Sequence, residues 1–289
     1  MRLFLVALVA LPLSVGCAGK KTSAYEVAAA PAAAPAPTAL QEADALFAER
    51  GDKAKLEAAI GKYQAAWAAE PTNREIGGKL VRAMYLMGDI HEADDAAKLA
   101  RWDEAIKVGK QCIAINTEFT AMLEKGDEDE ATAAKVLKAE DVPCAYWTAT
   151  ALGKWAKLSG LAKLLKHLPT VKAWVTRVEE LDPTYFNGAP DRYWGAYYAS
   201  IPTFAGQDLN KSKARFEKSL QIAPNYLATR VLMAENWAAK SQNKAEFERL
   251  LNEVIAANAD IDPAIAPENH AEQAKAKALL AREAELFAE

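Results

Sequence analysis

The sequence predicts an all-α protein: an array of stacked helix pairs, an α-solenoid, closed by a capping helix at its C-terminus. Three observations carry that prediction. From Leu40 onward apolar residues recur at three- and four-residue spacing, with almost no strand-like alternation. The interruptions are helix punctuators, namely Gly51, Pro71, Gly88, Pro183, Gly206 and Pro224. An internal repeat emerges when segments are aligned on their closing prolines. Twelve, eight and five residues before Pro71 stand Ala59, Tyr63 and Ala66; before Pro183, Val171, Val175 and Val178; before Pro224, Ser212, Phe216 and Ser219. Steps of four and three put each trio on one helix face. Small-large-small in the first and third trios lets a neighbouring helix approach closely while one large knob fills the groove. The valine trio keeps the face without the size pattern.

The chain opens with Met1-Arg2 and a thirteen-residue apolar run, Leu3 to Val15, followed by Gly16 and Cys17. That run is shorter than the roughly 20 residues a membrane span needs. A basic start and a short apolar core form the layout of an export signal, residues 1–16. Its end resembles a bacterial lipobox, which implies that Cys17 is lipid-modified, starts the mature protein and anchors it in a lipid bilayer. Leu13 stands four positions before Cys17 and Ser14 three before, where leucine is commoner in that motif. The alternative is an ordinary secretory signal cut elsewhere, with Cys17 incidental. Each acyl methylene buried in the bilayer contributes ~0.8 kcal/mol, so several chains would anchor permanently. Ala18 is not the aspartate of an inner-membrane retention signal, which favours the periplasmic side of the outer membrane. Residues 17–39 read as a tether: Ala18 to Thr38 is rich in Ala and Pro, too poor in apolar bulk to fold, and at ~3.1 Å per residue in a semi-extended form reaches about 65 Å. Residues 40–289 are expected to form the helical-repeat domain.

Within that domain one unit runs from Arg74 to Asn116, with Gly88-Asp89 as its turn and Trp102 to Ile115 in its second helix. Another runs from Cys144 to Leu181, hinged near Ser159-Gly160. The last pairs Tyr226–Ala239 with Lys244–Ala257 around Ser241-Gln242-Asn243, and a polar-faced helix from Pro267 to Phe287 caps the array. The Pro-closed segments resemble the second helix of a tetratricopeptide repeat. Pro183 and Pro224 lie 41 residues apart, longer than the usual ~34, so the repeats are irregular. The acidic stretch Glu124 to Glu130 reads as a solvated loop and helix start, since the twelve-residue ligand pattern of an EF-hand is absent.

Charge and chemistry narrow the function. Lys and Arg number 35 against 39 acids, for a net charge of −4, and they are scattered, which argues against a nucleic-acid surface. With Cys17 set aside, Cys112 and Cys144 remain, without CxxC or Cys/His spacing, so redox catalysis and zinc are not indicated. In an oxidising compartment they are a disulfide candidate that would stabilise the fold by ~3–4 kcal/mol in the chain-entropy model; two buried thiols are the other reading. His91, His167 and His270 each lack a second histidine or a cysteine three or four residues away. No phosphate-binding loop, nucleophile elbow or HExxH is present, so the chain reads as non-enzymatic, with no cofactor and no metal.

The most individual text is Leu181 to Ala199, with six aromatics, two prolines, two glycines and one arginine. Asp182-Pro183 closes a helix, Thr184 to Asp191 makes a turn, and Tyr193 to Ala199 begins the next helix. Tyr193, Tyr197 and Ile201 then share one face, with Trp194 and Tyr198 on the next. Aromatics combine large apolar area with a polar tip, which suits packing between repeats or a half-wet ligand groove. Arg192 has two kinds of partner open to it: Asp182 or Asp191, or an anionic ligand group.

The run Tyr185 to Gly195, followed by Gly206-Gln207-Asp208, Phe216 to Leu220 and Ala223 to Arg230, resembles the T component of tripartite ATP-independent periplasmic (TRAP) transporters. The similarity extends through Phe247–Val254 and Pro267–Leu280; Gly206-Gln207-Asp208 departs from it in lacking a paired glycine. The resemblance implies a tetratricopeptide-like periplasmic lipoprotein that associates with the transporter's periplasmic substrate-binding protein. It further implies a hydrophobic cleft for ligand and self-association into homo-oligomers. On that reading Arg192, Tyr193, Trp194 and Tyr197 are the ligand-cleft residues, and Tyr185 and Phe186 line the approach. The competing class is a helical-repeat scaffold or adaptor lipoprotein in envelope assembly, which binds peptides on a concave face and no small ligand.

Overall fold

The computed structural model describes residues 23–26, 37–124 and 129–287, and these form an all-α array with no strand among them. The signal peptide and Cys17 lie outside the described residues, as does most of the tether. Helices α1 (Pro37–Ala48) and α2 (Lys53–Ala69) make the first pair. Helix α3 (Arg74–Leu86), prolonged by a π-helical turn Met87–His91, packs on α4 (Asp95–Ile113). Short helices α5 (Thr117–Glu124) and α6 (Glu130–Ala133) lead to α7 (Val142–Leu158) and α8 (Leu161–Leu181). Then come α9 (Tyr185–Ser200) and α10 (Leu209–Ile222), α11 (Ala228–Leu232) with a π-helical turn Met233–Ala238, α12 (Lys244–Ala256), α13 (Ala266–Leu280) and α14 (Glu283–Leu286). Most helices pack on their neighbours in sequence, and α7 also packs on α3 and α4. No helix among the described residues is long and apolar enough to cross a membrane.

Local chemistry explains where helices start and stop. Asp52, Asn73, Asp94, Asp208 and Asn243 each accept a hydrogen bond from a backbone N–H in the first turn of the helix that follows. Such a cap is worth about 1 kcal/mol over alanine. Helices α2, α8 and α10 each end two residues before their proline. The intervening Glu70, Asp182 and Ala223 adopt nearly the same non-helical conformation, with φ of −128°, −149° and −140°. Proline's ring clashes with an α-helical residue before it, so the repeat is set by that clash.

The face assigned to each trio is the buried one. Ala59, Tyr63, Ala66, Val171, Val175, Val178, Ser212, Phe216 and Ser219 are all buried. On α10 the size pattern works as the sequence suggests: Phe216 lies against Gly195 of α9, where a Cβ would come within 2.7 Å of its ring. Ser212 donates to the Gly195 carbonyl at 2.7 Å and Ser219 to that of Gly188 at 3.0 Å, so the close approach leaves no hydroxyl unpaired.

Other expectations shift. Gly88-Asp89 is not a turn; the helix continues to His91, and the chain reverses at residues 92–94. Gly88 is there for proximity, since a Cβ would stand 2.6 Å from the indole nitrogen of Trp102. The hinge at Ser159-Gly160 forms, with Gly160 at φ +104°, and Gln242 at φ +54° turns the chain between the last expected pair. Among the described residues the first α-helix begins at Pro37 rather than residue 40, and Ser23–Tyr25 form a short 3-10 turn. The C-terminal segment breaks at residues 281–282 into α13 and α14. In the acidic stretch, Asp129 caps α6 by accepting from the Thr132 N–H at 2.8 Å; residues 125–128 lie outside the described residues. Cys112 of α4 and Cys144 of α7 form a disulfide with Cα atoms 5.8 Å apart, tying two packed helices together.

Candidate functional site

A half-open cavity of about 310 Å³ lies in the array, walled by α3 with its π-helical turn, α7, α8, α9, α11 and α13. Its position depends on an unusual turn. Phe186, Asn187 and Gly188 have φ of 40°, 59° and 69°, three successive left-handed residues at the start of α9. That conformation crowds Cβ against the next carbonyl in L-residues, at roughly 1–2 kcal/mol each outside glycine. Arg192 secures it: its guanidinium donates to the carbonyls of Asn187 at 2.8 Å and Phe186 at 3.3 Å. The same guanidinium stacks 4.6 Å over the ring of Tyr226. Helix geometry resumes at Ala189, four residues before the expected Tyr193, because Pro190 falls in the first turn, where its missing N–H has no partner to lose.

Phe186 is thereby turned into a cluster of rings and cations. Trp147 lies 4.7 Å from it edge-on, Tyr226 5.5 Å, and the Arg82 guanidinium 4.6 Å over its face. Tyr193 and Tyr197 stack at 6.2 Å and 20° on the cavity side of α9, with Ile201 one turn further on. Burial, then the neighbouring Tyr197, pushes the Tyr193 phenol up from its ordinary value.

Of the six ligand candidates, Phe186, Arg192, Tyr193 and Tyr197 line the cavity, whereas Tyr185 and Trp194 do not. Tyr185 packs edge-on against Tyr146 at 5.2 Å. Trp194 is buried behind the tyrosines, its ring 5.2 Å from Tyr193 and 5.3 Å from Tyr197. The division into two helix faces therefore holds. Arg192 pairs with neither Asp182 nor Asp191. Asp182 instead accepts from the Thr184 N–H and hydroxyl, and Asp191 is fully buried beside Arg215 at 2.8 Å and Lys218 at 3.0 Å.

The remaining wall comes from residues the sequence did not single out. Glu268 of α13, 3% exposed, accepts from Arg50 Nε at 3.0 Å and Nη2 at 2.5 Å, and from Arg82 Nη2 at 2.9 Å. Arg50, also 3% exposed, reaches the Ala264 carbonyl too. Beside this pair, Lys275 of α13 bridges Asp89 and Glu272, each at 2.8 Å, and Lys154 of α7 holds Asp89 at 2.7 Å. Burial alone would raise the Asp89 carboxyl, but the ammonium groups of Lys154 and Lys275 outweigh it and hold it well below the usual carboxylate range. Burial would lower the Lys275 ammonium; Asp89 and Glu272 raise it well above its ordinary value. The C-terminal helix thus does more than end the stack: through these pairs it returns to the first helices and closes the cavity on that side. The partners stand up to 218 residues apart, so no local pattern announces them.

His167 also faces the cavity, edge-on to Trp155 at 5.9 Å, and burial followed by the nearby Lys166 lowers its pKa. His91 meets the Arg50 carbonyl at 2.8 Å, and exposed His270 meets Asp260 at 2.7 Å. Apolar and aromatic walls with a few charged groups suit a small organic molecule, and about 310 Å³ is at the lower end of ligand-pocket size.

No curated protein matches this chain. The family model described as TRAP transporter T-component matches residues 30–287, nearly the whole of the helical array with its cavity, and the chain belongs to that family.

Proposed function

We propose that this T-component is a non-enzymatic periplasmic lipoprotein, anchored through Cys17 to the periplasmic side of the outer membrane. It associates with the transporter's substrate-binding protein and holds ligand in this half-open cavity. The single observation that carries this reading is the cavity itself, with Phe186, Tyr193 and Tyr197 as an aromatic wall and ion pairs along α13. The walls are built at the expense of a left-handed turn, which a purely packing role would not require. Arg192 acts by fixing that turn and facing Tyr226, so its part in ligand binding is to hold Phe186 in place. Trp194 and Tyr185 support the wall from behind. Tetratricopeptide-like stacking supplies the frame, and homo-oligomers belong to the same reading.

Native mass spectrometry of the purified protein tests the cavity. A bound small molecule is expected in the wild type and is lost in Gly153→Phe, which projects a ring from α7 into the cavity. An unliganded wild type that co-purifies only with peptides or envelope-assembly proteins would favour the scaffold alternative. Recovery of a periplasmic substrate-binding protein in a pull-down supports the partner assignment.

A further inference from the structure

Residues Ser23–Tyr25 make a 3-10 turn laid against α4, twelve residues before the first helix begins. Tyr25 is 5% exposed. Its ring lies 5.6 Å from that of Phe119 on α5, and Lys110 Nζ of α4 stands 5.0 Å from its centroid. Lys110 is itself fixed by Glu130 of α6 at 2.7 Å. Three elements therefore form the socket of one side chain. Burial, then the Glu130 carboxylate, raises the Tyr25 phenol far above its ordinary value, so the ring sits there uncharged. Tyr25 is the one aromatic residue in an Ala/Pro-rich stretch that otherwise has little to bury.

Building on the lipidation of Cys17 proposed above, we infer that Tyr25 pins the tether to the fold and holds the α4–α6 end of the domain close to the bilayer. Chain geometry gives the scale. Eight residues separate Cys17 from Tyr25, and at ~3.6 Å each they span at most about 29 Å. Without that contact the next described residue of the fold is Pro37, 20 residues after Cys17, with a limit of about 72 Å. Pinning also sets an orientation. Helix α4 contributes no residue to the cavity, and α7 stands between them, with Thr148 packed on Gly109 of α4 and Trp147, Thr150 and Lys154 lining the cavity. The bilayer thus faces the layer behind the cavity, leaving the cavity side to soluble partners.

Neutron reflectometry of the full lipidated protein in a supported phosphatidylethanolamine/phosphatidylglycerol bilayer tests this. The wild type is expected to hold the α4–α6 end within about 29 Å of the lipid surface. Tyr25→Ala is expected to widen and blur the gap, and Tyr25→Phe to restore it. A gap that is the same in wild type and Tyr25→Ala overturns the pinning. Hydrogen exchange at residues 23–26 gives a readout independent of the membrane: protection in the wild type and its loss in Tyr25→Ala support the socket, and rapid exchange in both overturns it. Thermal melting of each variant confirms that the helical array is intact. A wild type that fails to bind the bilayer while residues 23–26 stay protected overturns the orientation and points to the lipidation, not the socket, as the failed premise.

Discussion

Replacing Glu268 with alanine should open the array between its first helices and α13. The carboxylate is buried and takes hydrogen bonds from both nitrogens of one face of Arg50 and from Arg82. Without it Arg50 remains buried, with only the carbonyls of Ala264 at 2.5 Å and Phe47 at 3.3 Å as acceptors. Removing one partner of a buried pair costs about 3–5 kcal/mol, mostly because the other charge stays desolvated. Two surviving carbonyls and the partial exposure of Arg82 place the expected loss at the lower end, about 3 kcal/mol. At about 2–4 °C per kcal/mol for a fold of this size, melting should fall by roughly 6–12 °C. Urea unfolding of the wild type, Glu268→Ala, Arg50→Ala and the double variant measures both the loss and the coupling. The double variant should lose clearly less than the sum of the singles, and hydrogen exchange should rise first along α13. A loss under about 1 kcal/mol with additive singles would show that α13 is held by apolar packing, and would refute the clasp.

Two glycines of similar helical context should respond oppositely to alanine. At Gly195 a Cβ would stand 2.7 to 2.8 Å from the fully buried ring of Phe216, so overpacking of ~1–3 kcal/mol should outweigh the helix-propensity gain of ~1 kcal/mol, lowering the melting temperature. At exposed Gly61 in α2 nothing lies within 4 Å, and the same change should raise stability by up to about 1 kcal/mol. Equal effects at both sites would contradict the close α9–α10 approach. In acid, Asp89 adds a further loss: its folded pKa lies below the unfolded value, so its stabilisation is present above about pH 4 and is lost as pH falls further toward the folded pKa. Lys275→Met removes one of the two cations that depress it, so the variant should show a smaller acid-dependent loss at low pH in urea titrations at pH 3 and pH 6.

Much of the frame was legible because the physics behind it is local. The prolines at 71, 183 and 224 stop their helices through a clash with the residue before them, and the trios they organise are buried as their spacing implies. Asn243, read as part of a turn, also caps the helix that follows it, as Asp208 does, through a side-chain hydrogen bond that the structure supplies. Gly88 misled because glycine serves both turns and close contacts, and only the neighbouring Trp102 distinguishes the two. In the aromatic segment, helical periodicity sorted Tyr193 and Tyr197 from Trp194, yet it could not say which face met a cavity and which met the core.

The sequence by itself determined the helical class, the proline stops of the helices and the family of the protein, since these depend on residues within a few positions of one another or on a pattern written along the chain. Tertiary structure alone decided that Arg192 clamps a left-handed turn and binds neither aspartate near it. It also decided that Arg50 and Arg82 meet Glu268, and that Asp89 meets Lys154 and Lys275. Such pairs are chosen by where the array brings its ends together, and a buried charge takes whatever opposite charge the fold delivers within hydrogen-bond distance.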